Sequence, residues 1–95
     1  MSGYKYSVVI RSSRFNKDLK KAEKRGLNPK EVEAVIDLLR KGDTLPPKYR
    51  DHPLHGEYEG YRDCHINSDW VLIYRKYKNV LTLLLARTGT HSDLF

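Results

Sequence analysis

One cysteine, Cys64, is all the thiol chemistry the chain has. A lone thiol makes no internal disulfide, so the stapled scaffolds of small secreted domains are excluded and a reducing compartment fits. A cysteine-rich zinc site is excluded with it. No apolar run approaches the ~20 residues that a membrane-spanning helix needs. The opening residues lack the apolar stretch of a signal peptide, so a cytoplasmic protein with no membrane partner is expected. There is no linker, internal repeat or low-complexity segment. With 95 residues, a single domain over 1–95 is expected, with room for one small core and one surface site. No large cofactor fits such a domain, and none is expected.

Positive charge is abundant. Lys and Arg number 18 against 12 Asp and Glu, a formal net charge of +6. That surplus attracts polyanions at long range, and an acidic protein partner would use the same field.

Residues 4–10 alternate, with Tyr4, Tyr6, Val8 and Ile10 set against Lys5, Ser7 and Val9, which predicts a strand. Ser12 or Ser13 then caps a helix whose stripe is Phe15, Leu19 and Ala22 and which Gly26 ends. Asn28 and Pro29 open a second helix, and Val32, Val35, Ile36 and Leu39 follow the spacing of a buried face. The outer faces of this hairpin carry Lys17, Lys20, Lys21, Lys24, Arg25, Lys30 and Arg40. They form either a solvated face or a polyanion-binding one. Residues 43–60, punctuated by Asp43, Pro46, Pro47, Pro53, Gly56 and Gly60, read as a long loop. Strands follow at about 61–67, 70–77 and 80–87, with turns at Asn67-Ser68-Asp69 and Lys78-Asn79. Such short turns imply an antiparallel meander. The fold class is therefore α+β: an N-terminal strand, a two-helix hairpin, then a three-stranded antiparallel meander, with the helices on a mixed or antiparallel sheet.

The four histidines, His52, His55, His65 and His91, fall outside the predicted helices. In strand 61–67, Cys64 and Ile66 point to one face, and Tyr61, Asp63, His65 and Asn67 to the other. With the apolar pair facing the helices, His65 stands on the open face. His52 and His55 are three apart beside a proline, with no second pair to complete a zinc site, so no metal is expected. Acid–base chemistry suits the set better, because imidazole titrates near neutrality. RNA is cut without a metal when one group takes the 2′-OH proton, another protonates the leaving 5′-oxygen and a cation steadies the phosphorane. His52, His65, His91 and Asp69 are candidate proton carriers. Arg87, Arg62 and Arg50 are candidate phosphate forks, and Tyr49, Trp70 and Phe95 are candidate stacking platforms. The segment Arg87–Phe95 is distinctive: it leaves the last strand through Gly89, carries His91, and ends in Leu94-Phe95, an apolar anchor able to fold His91 back beside His65.

Three runs are similar to one known family. Leu45-Pro46-Pro47-Lys48-Tyr49-Arg50-Asp51-His52-Pro53-Leu54 resembles the central loop of YafQ-like toxins in the RelE/ParE superfamily. Gly60-Tyr61-Arg62-Asp63-Cys64-His65-Ile66 with Asp69-Trp70-Val71-Leu72-Ile73-Tyr74 resembles its sheet. Arg87-Thr88-Gly89-Thr90-His91-Ser92-Asp93-Leu94-Phe95 resembles its final segment. The resemblance covers nearly the whole chain. It implies a RelE-like, microbial RNase-like fold and a type II toxin that cuts mRNA in the ribosomal A site. It further implies a DinJ-like antitoxin as partner, with operator DNA bound only by the joint complex. Carried over by position, it makes His91 the main catalytic group, His52, His65 and Asp69 its supports, Arg87 the phosphate ligand, and Trp70 and Phe95 the residues that shape the site. His55 stands where lysine is expected, Thr90 where serine is common and Tyr58 where tryptophan is frequent. The competing expectation is a non-catalytic, ribosome- or protein-binding module such as the gyrase-inhibiting ParE-like relatives, which lack this histidine set. A DNA-binding repressor is disfavoured, since no recognition helix is evident.

Overall fold

The computed structural model describes residues 3–42, 44–67 and 69–95, so Asp43 of the expected loop and Ser68 of the expected turn lie outside it. Strand β1 (Val8–Arg11) leads into α1 (Ser13–Lys24) and α2 (Pro29–Lys41); β2 (His52–Pro53), β3 (Arg62–His65), β4 (Trp70–Tyr77), β5 (Thr82–Thr90) and a one-turn α3 (His91–Leu94) follow. The sheet order is β1-β5-β4-β3-β2. The β2–β3, β3–β4 and β4–β5 pairs are antiparallel, and β1 joins β5 in parallel, which makes the sheet mixed.

Local chemistry sets the helices as expected. The Ser12 side chain accepts from the Phe15 N–H at the start of α1, and Asn28 accepts from Lys30 ahead of Pro29 in α2. Each bond satisfies a backbone donor that the first turn leaves free. Phe15, Ala22, Val32, Val35, Ile36 and Leu39 are buried with Cys64, Ile66, Leu72, Tyr74, Leu83 and Leu85 of the sheet. The helices thus cover one face. A smaller cluster of Val71, Ile73 and Leu94, flanked by Leu54, Tyr58, Tyr61 and Ala86, lies apart from this main core.

Three departures from the sequence reading have physical causes. The first strand begins at Val8, not at residue 4, because the Tyr6 N–H bonds the Arg40 carbonyl at the end of α2, and the Arg40 side chain donates to the Tyr6 and Ser7 carbonyls. Its two-residue alternation slips as a result: Tyr6 is buried, while Val8 and Ile10 are exposed. The central loop contains β2, where Pro53 is tolerated because the strand lies at a sheet edge. The last strand starts at Thr82, after Leu81 takes a left-handed conformation, and runs on to Thr90, so Gly89 lies within it and not at an exit from it.

Candidate active site

Strand alternation puts Asp63 and His65 on the face of β3 opposite Cys64. The ladder then sets His65 across from Val71, and β2 sets His52 directly across from Asp63. His91 arrives from β5 through α3. The His65 and His91 rings approach to 5.3 Å between centroids. Phe95 lies 5.9 Å from His91 and 6.0 Å from Tyr58, which meets Tyr61 edge-on. Two of the three motifs therefore meet in a histidine pair, and the third brings His52 across from Asp63, on the same face of the sheet as His65.

Four features hold His91 in place. Thr90 and Asp93 form a reciprocal cap, with the Thr90 hydroxyl accepting from Asp93 N–H and the Asp93 carboxylate from Thr90 N–H. Arg25 donates to Asp93 at 2.8 Å, and Leu94 is buried against Val71 and Ile73. A Cβ on Gly89 would stand 3.1 Å from Asp93 Cβ, so any larger residue there would push the turn outward by a few tenths of an ångström. Leu94 alone is thus the anchor; Phe95, expected to share that role, is 60% exposed and stands over the site.

The His52 Nδ1 lies 2.9 Å from the Arg50 carbonyl. A carbonyl only accepts, so the proton rides on Nδ1, and the neutral ring keeps its lone pair on Nε2. Arg50 adopts φ +49°, a left-handed conformation that costs a non-glycine residue energy. The same His52 nitrogen is 3.2 Å from Asp63 Oδ1 but not aligned for a second bond. Asp63 is only 2% exposed, and among the described residues Oδ1 has no hydrogen-bond partner. Burial pushes the Asp63 carboxyl up, against the opposing pull of His52, His65 and His91. Burial, and next the neighbouring His91, push His65 down and favour its neutral form. Strand alternation in the sequence alone puts Asp63 on this face, without marking it as a proton carrier. The signal was its strand parity with His65.

Other expected residues fall in different places. Arg50 is exposed and borders, with Lys48, Tyr49 and His65, a cleft of about 360 Å³ beside the histidine pair. Asp69 is exposed near the tip of the β3–β4 hairpin, its N–H bonded to Asn67. Arg62 is not brought to the histidines. It shares strand parity with Cys64, its guanidinium engages Asp51, and the Tyr74 hydroxyl donates to the same carboxylate. Trp70 is also elsewhere. It packs against the main core, under the Arg25 guanidinium at 5.1 Å. His55 is 82% exposed with Glu59 at 3.4 Å, away from the cluster. Arg87 forks onto Asp18 of α1. Among the described residues no group of three or more His, Cys, Asp or Glu is arranged to hold a metal ion, and no helix is long and apolar enough to cross a membrane.

Residues 7–95 match the family described as a bacterial toxin of a type II toxin–antitoxin system, YafQ. The mRNA interferase toxin YafQ of Escherichia coli K12 is 41% identical over 85 residues, covering 88% of this chain and 90% of its own. The crystal structure of YafQ from E. coli BL21(DE3) superposes with a TM-score of 0.85 at 39% identity, over 92% of this chain and 96% of that one. The toxin of the E. coli DinJ–YafQ toxin–antitoxin complex superposes with a TM-score of 0.84 at 38% identity, over 95% and 98%.

Proposed function

This chain belongs to the YafQ family of bacterial type II toxins, and from that membership we propose that it is an endoribonuclease that cuts mRNA in the ribosomal A site by metal-independent acid–base chemistry. The observation that carries the reading is the 5.3 Å approach of His65 and His91. Two imidazolium ions at that distance repel, and His91 is one of the causes that push His65 toward its neutral form. One ring is then free to accept a proton while the other donates. Burial favours the neutral form at His65, which gives it the base role and leaves His91 the acid.

In the reaction His65 takes the 2′-OH proton, and the 2′-oxygen attacks the adjacent phosphorus. His91 protonates the departing 5′-oxygen. The products are a 2′,3′-cyclic phosphate and a 5′-hydroxyl, and the proton returns from His65 to His91 through solvent. Each proton transfer by a placed group is worth ~10²–10⁴ in rate. His52, tautomer-fixed by Arg50, and the buried Asp63 carboxylate support the charge on the pair. Arg87 and Arg50 contact phosphate, and Phe95 stacks on a base beside His91. Asp69 supports the site from the hairpin tip.

His91 and Phe95 are exposed on an open face, so the protein alone grips RNA from one side. The ribosome supplies the remaining alignment of the 2′-OH, which is where much of the rate enhancement of such reactions arises. The net charge of +6 suits both the ribosome and an antitoxin, as an E. coli relative is crystallised with DinJ. The complex of toxin and antitoxin, not the toxin alone, contacts operator DNA.

The test is to map mRNA 5′ ends in a translating extract supplied with this protein and with its His91→Ala variant. New in-frame cuts with the parent, lost by at least ~10²-fold in a folded His91→Ala variant, support the reading. Stalled translation without new ends favours a purely binding toxin, and a folded His91→Ala variant that cuts normally overturns the catalytic assignment.

A further inference from the structure

The Arg87 guanidinium is not free. Its Nε donates to Asp18 Oδ2 at 2.7 Å and its Nη2 to Asp18 Oδ1 at 3.2 Å, while the Thr88 N–H donates to Oδ2 at 3.2 Å. Both side chains are largely covered, at 17% and 16% exposure. The pair joins α1 to β5 just past the point where β1 stops pairing, since the β1 ladder ends at Leu85 and the Ser12 N–H takes the Leu85 carbonyl. Thr88 is therefore on an unpaired strand edge, and Asp18 supplies the acceptor its N–H would otherwise lack.

We propose that Asp18 is a positioning residue for RNA cleavage: its carboxylate clamps Arg87 side-on and aims the opposite edge of the guanidinium at the scissile phosphate. This rests on the phosphate role given to Arg87 above. A guanidinium has five N–H donors in a planar fork. The side-on clamp uses the Nε–H and one Nη2–H. The other Nη2–H and both Nη1–H groups form the end-on edge, which faces the Tyr58 hydroxyl in the free protein and can grip phosphate in two places. Tyr58 is the next group after Asp18 that acts on the guanidinium, and Tyr58 meets Phe95, which meets His91. The end-on edge of Arg87 is therefore turned toward Tyr58 and belongs with the His91 side of the sheet. The clamp has two opposing effects. Asp18 offsets part of the positive charge offered to phosphate, and it removes the rotamer freedom that an unrestrained arginine would lose on engaging the transition state.

The test is a double-mutant cycle on single-turnover cleavage of ribosome-bound mRNA. Asp18→Ala should lower the cleavage rate at saturating toxin by about 10–100-fold, the size expected when a reacting group is displaced by about an ångström. The half-saturating toxin concentration should move less than about twofold, because the site keeps its cation. In an Arg87→Ala background the Asp18 substitution should add nothing. If Asp18→Ala fails to fold for want of the Thr88 acceptor, Asp18→Asn carries the experiment. It keeps the shape and one acceptor, but its amide donor opposes an arginine donor and breaks the fork, so a loss of at least about tenfold is expected. A folded Asp18 variant that cuts at the parental rate, or an Asp18 loss undiminished in the Arg87→Ala background, overturns the proposal. Arg87→Ala without effect instead overturns the phosphate role itself, so the two failures are distinguishable.

Discussion

Asp63→Asn separates stability from activity at the centre of the site. The carboxylate is 2% exposed, and its Oδ1 has no hydrogen-bond partner among the described residues. Burial raises its pKa, so the fold prefers the protonated carboxyl. The contribution this group makes to stability is therefore complete below the ordinary carboxylate value and is lost as pH rises through the higher folded value. At neutral pH the ionised group is a net cost. Leaving a buried group unpartnered costs about 1–3 kcal/mol, more when it is charged, and asparagine, neutral at every pH, removes the charged part of that cost. A gain of about 1 kcal/mol raises the melting temperature of a domain this size by about 4–8 °C. The gain should shrink towards zero below about pH 4, where the parent carboxyl is itself neutral. Activity should change in its pH dependence. Asp63 favours the charged form of His65, so its loss pushes that ring further down and carries the acid limb of the pH–rate profile to lower pH. Thermal unfolding at pH 7.5 and 4, with cleavage rates across the same range, checks both. An Asp63→Asn variant that melts below the parent at pH 7.5, or whose advantage persists undiminished in acid, refutes the reasoning.

Leu94→Ala removes the apolar anchor of α3 and should cost about 2 kcal/mol, the low end of such truncations because the site is at the margin of its cluster. Cleavage should fall by about tenfold or more as His91 loses its placement, and single-turnover kinetics beside thermal unfolding would show both. Burial lowers His65, so its contribution to stability is present above the ordinary histidine value of about 6.5 and is lost as pH falls through its own lower value. His65→Gln should therefore lose less thermal stability than the parent between neutral pH and about pH 5.

The helices were legible because their signals are local. Ser12, Asn28 and Pro29 mark the starts, and the stripe from Val32 to Leu39 marks the buried side. The parity of β3 was legible for the same reason, and it put His65 on the correct face. What was not legible depends on partners distant in the chain. Nothing near Tyr6 announces that Arg40 will bind its carbonyl and hold residues 4–7 off the sheet. Nothing near His52 announces a strand, because a two-residue pairing containing proline has no periodicity; only Asp63 opposite it reveals the ladder. Arg62 and Trp70 carry the right chemistry on the wrong parity. Arg87 stands out in the sequence through its place in the final segment, but its partner Asp18 on α1 does not, because the lysine-rich face around it conceals it.

β5 pairs with β1 on one side and β4 on the other, yet it is the last strand in chain order. As the chain is synthesised, β1 and both helices emerge long before their central partner, and closing so long a loop is slow compared with forming local contacts. Until β5 inserts, the sheet is open, and Thr90 has no fixed strand end from which to cap the turn that carries His91. The histidine pair therefore cannot exist until β5 has taken its place between β1 and β4, so folding and arming of the toxin are one event.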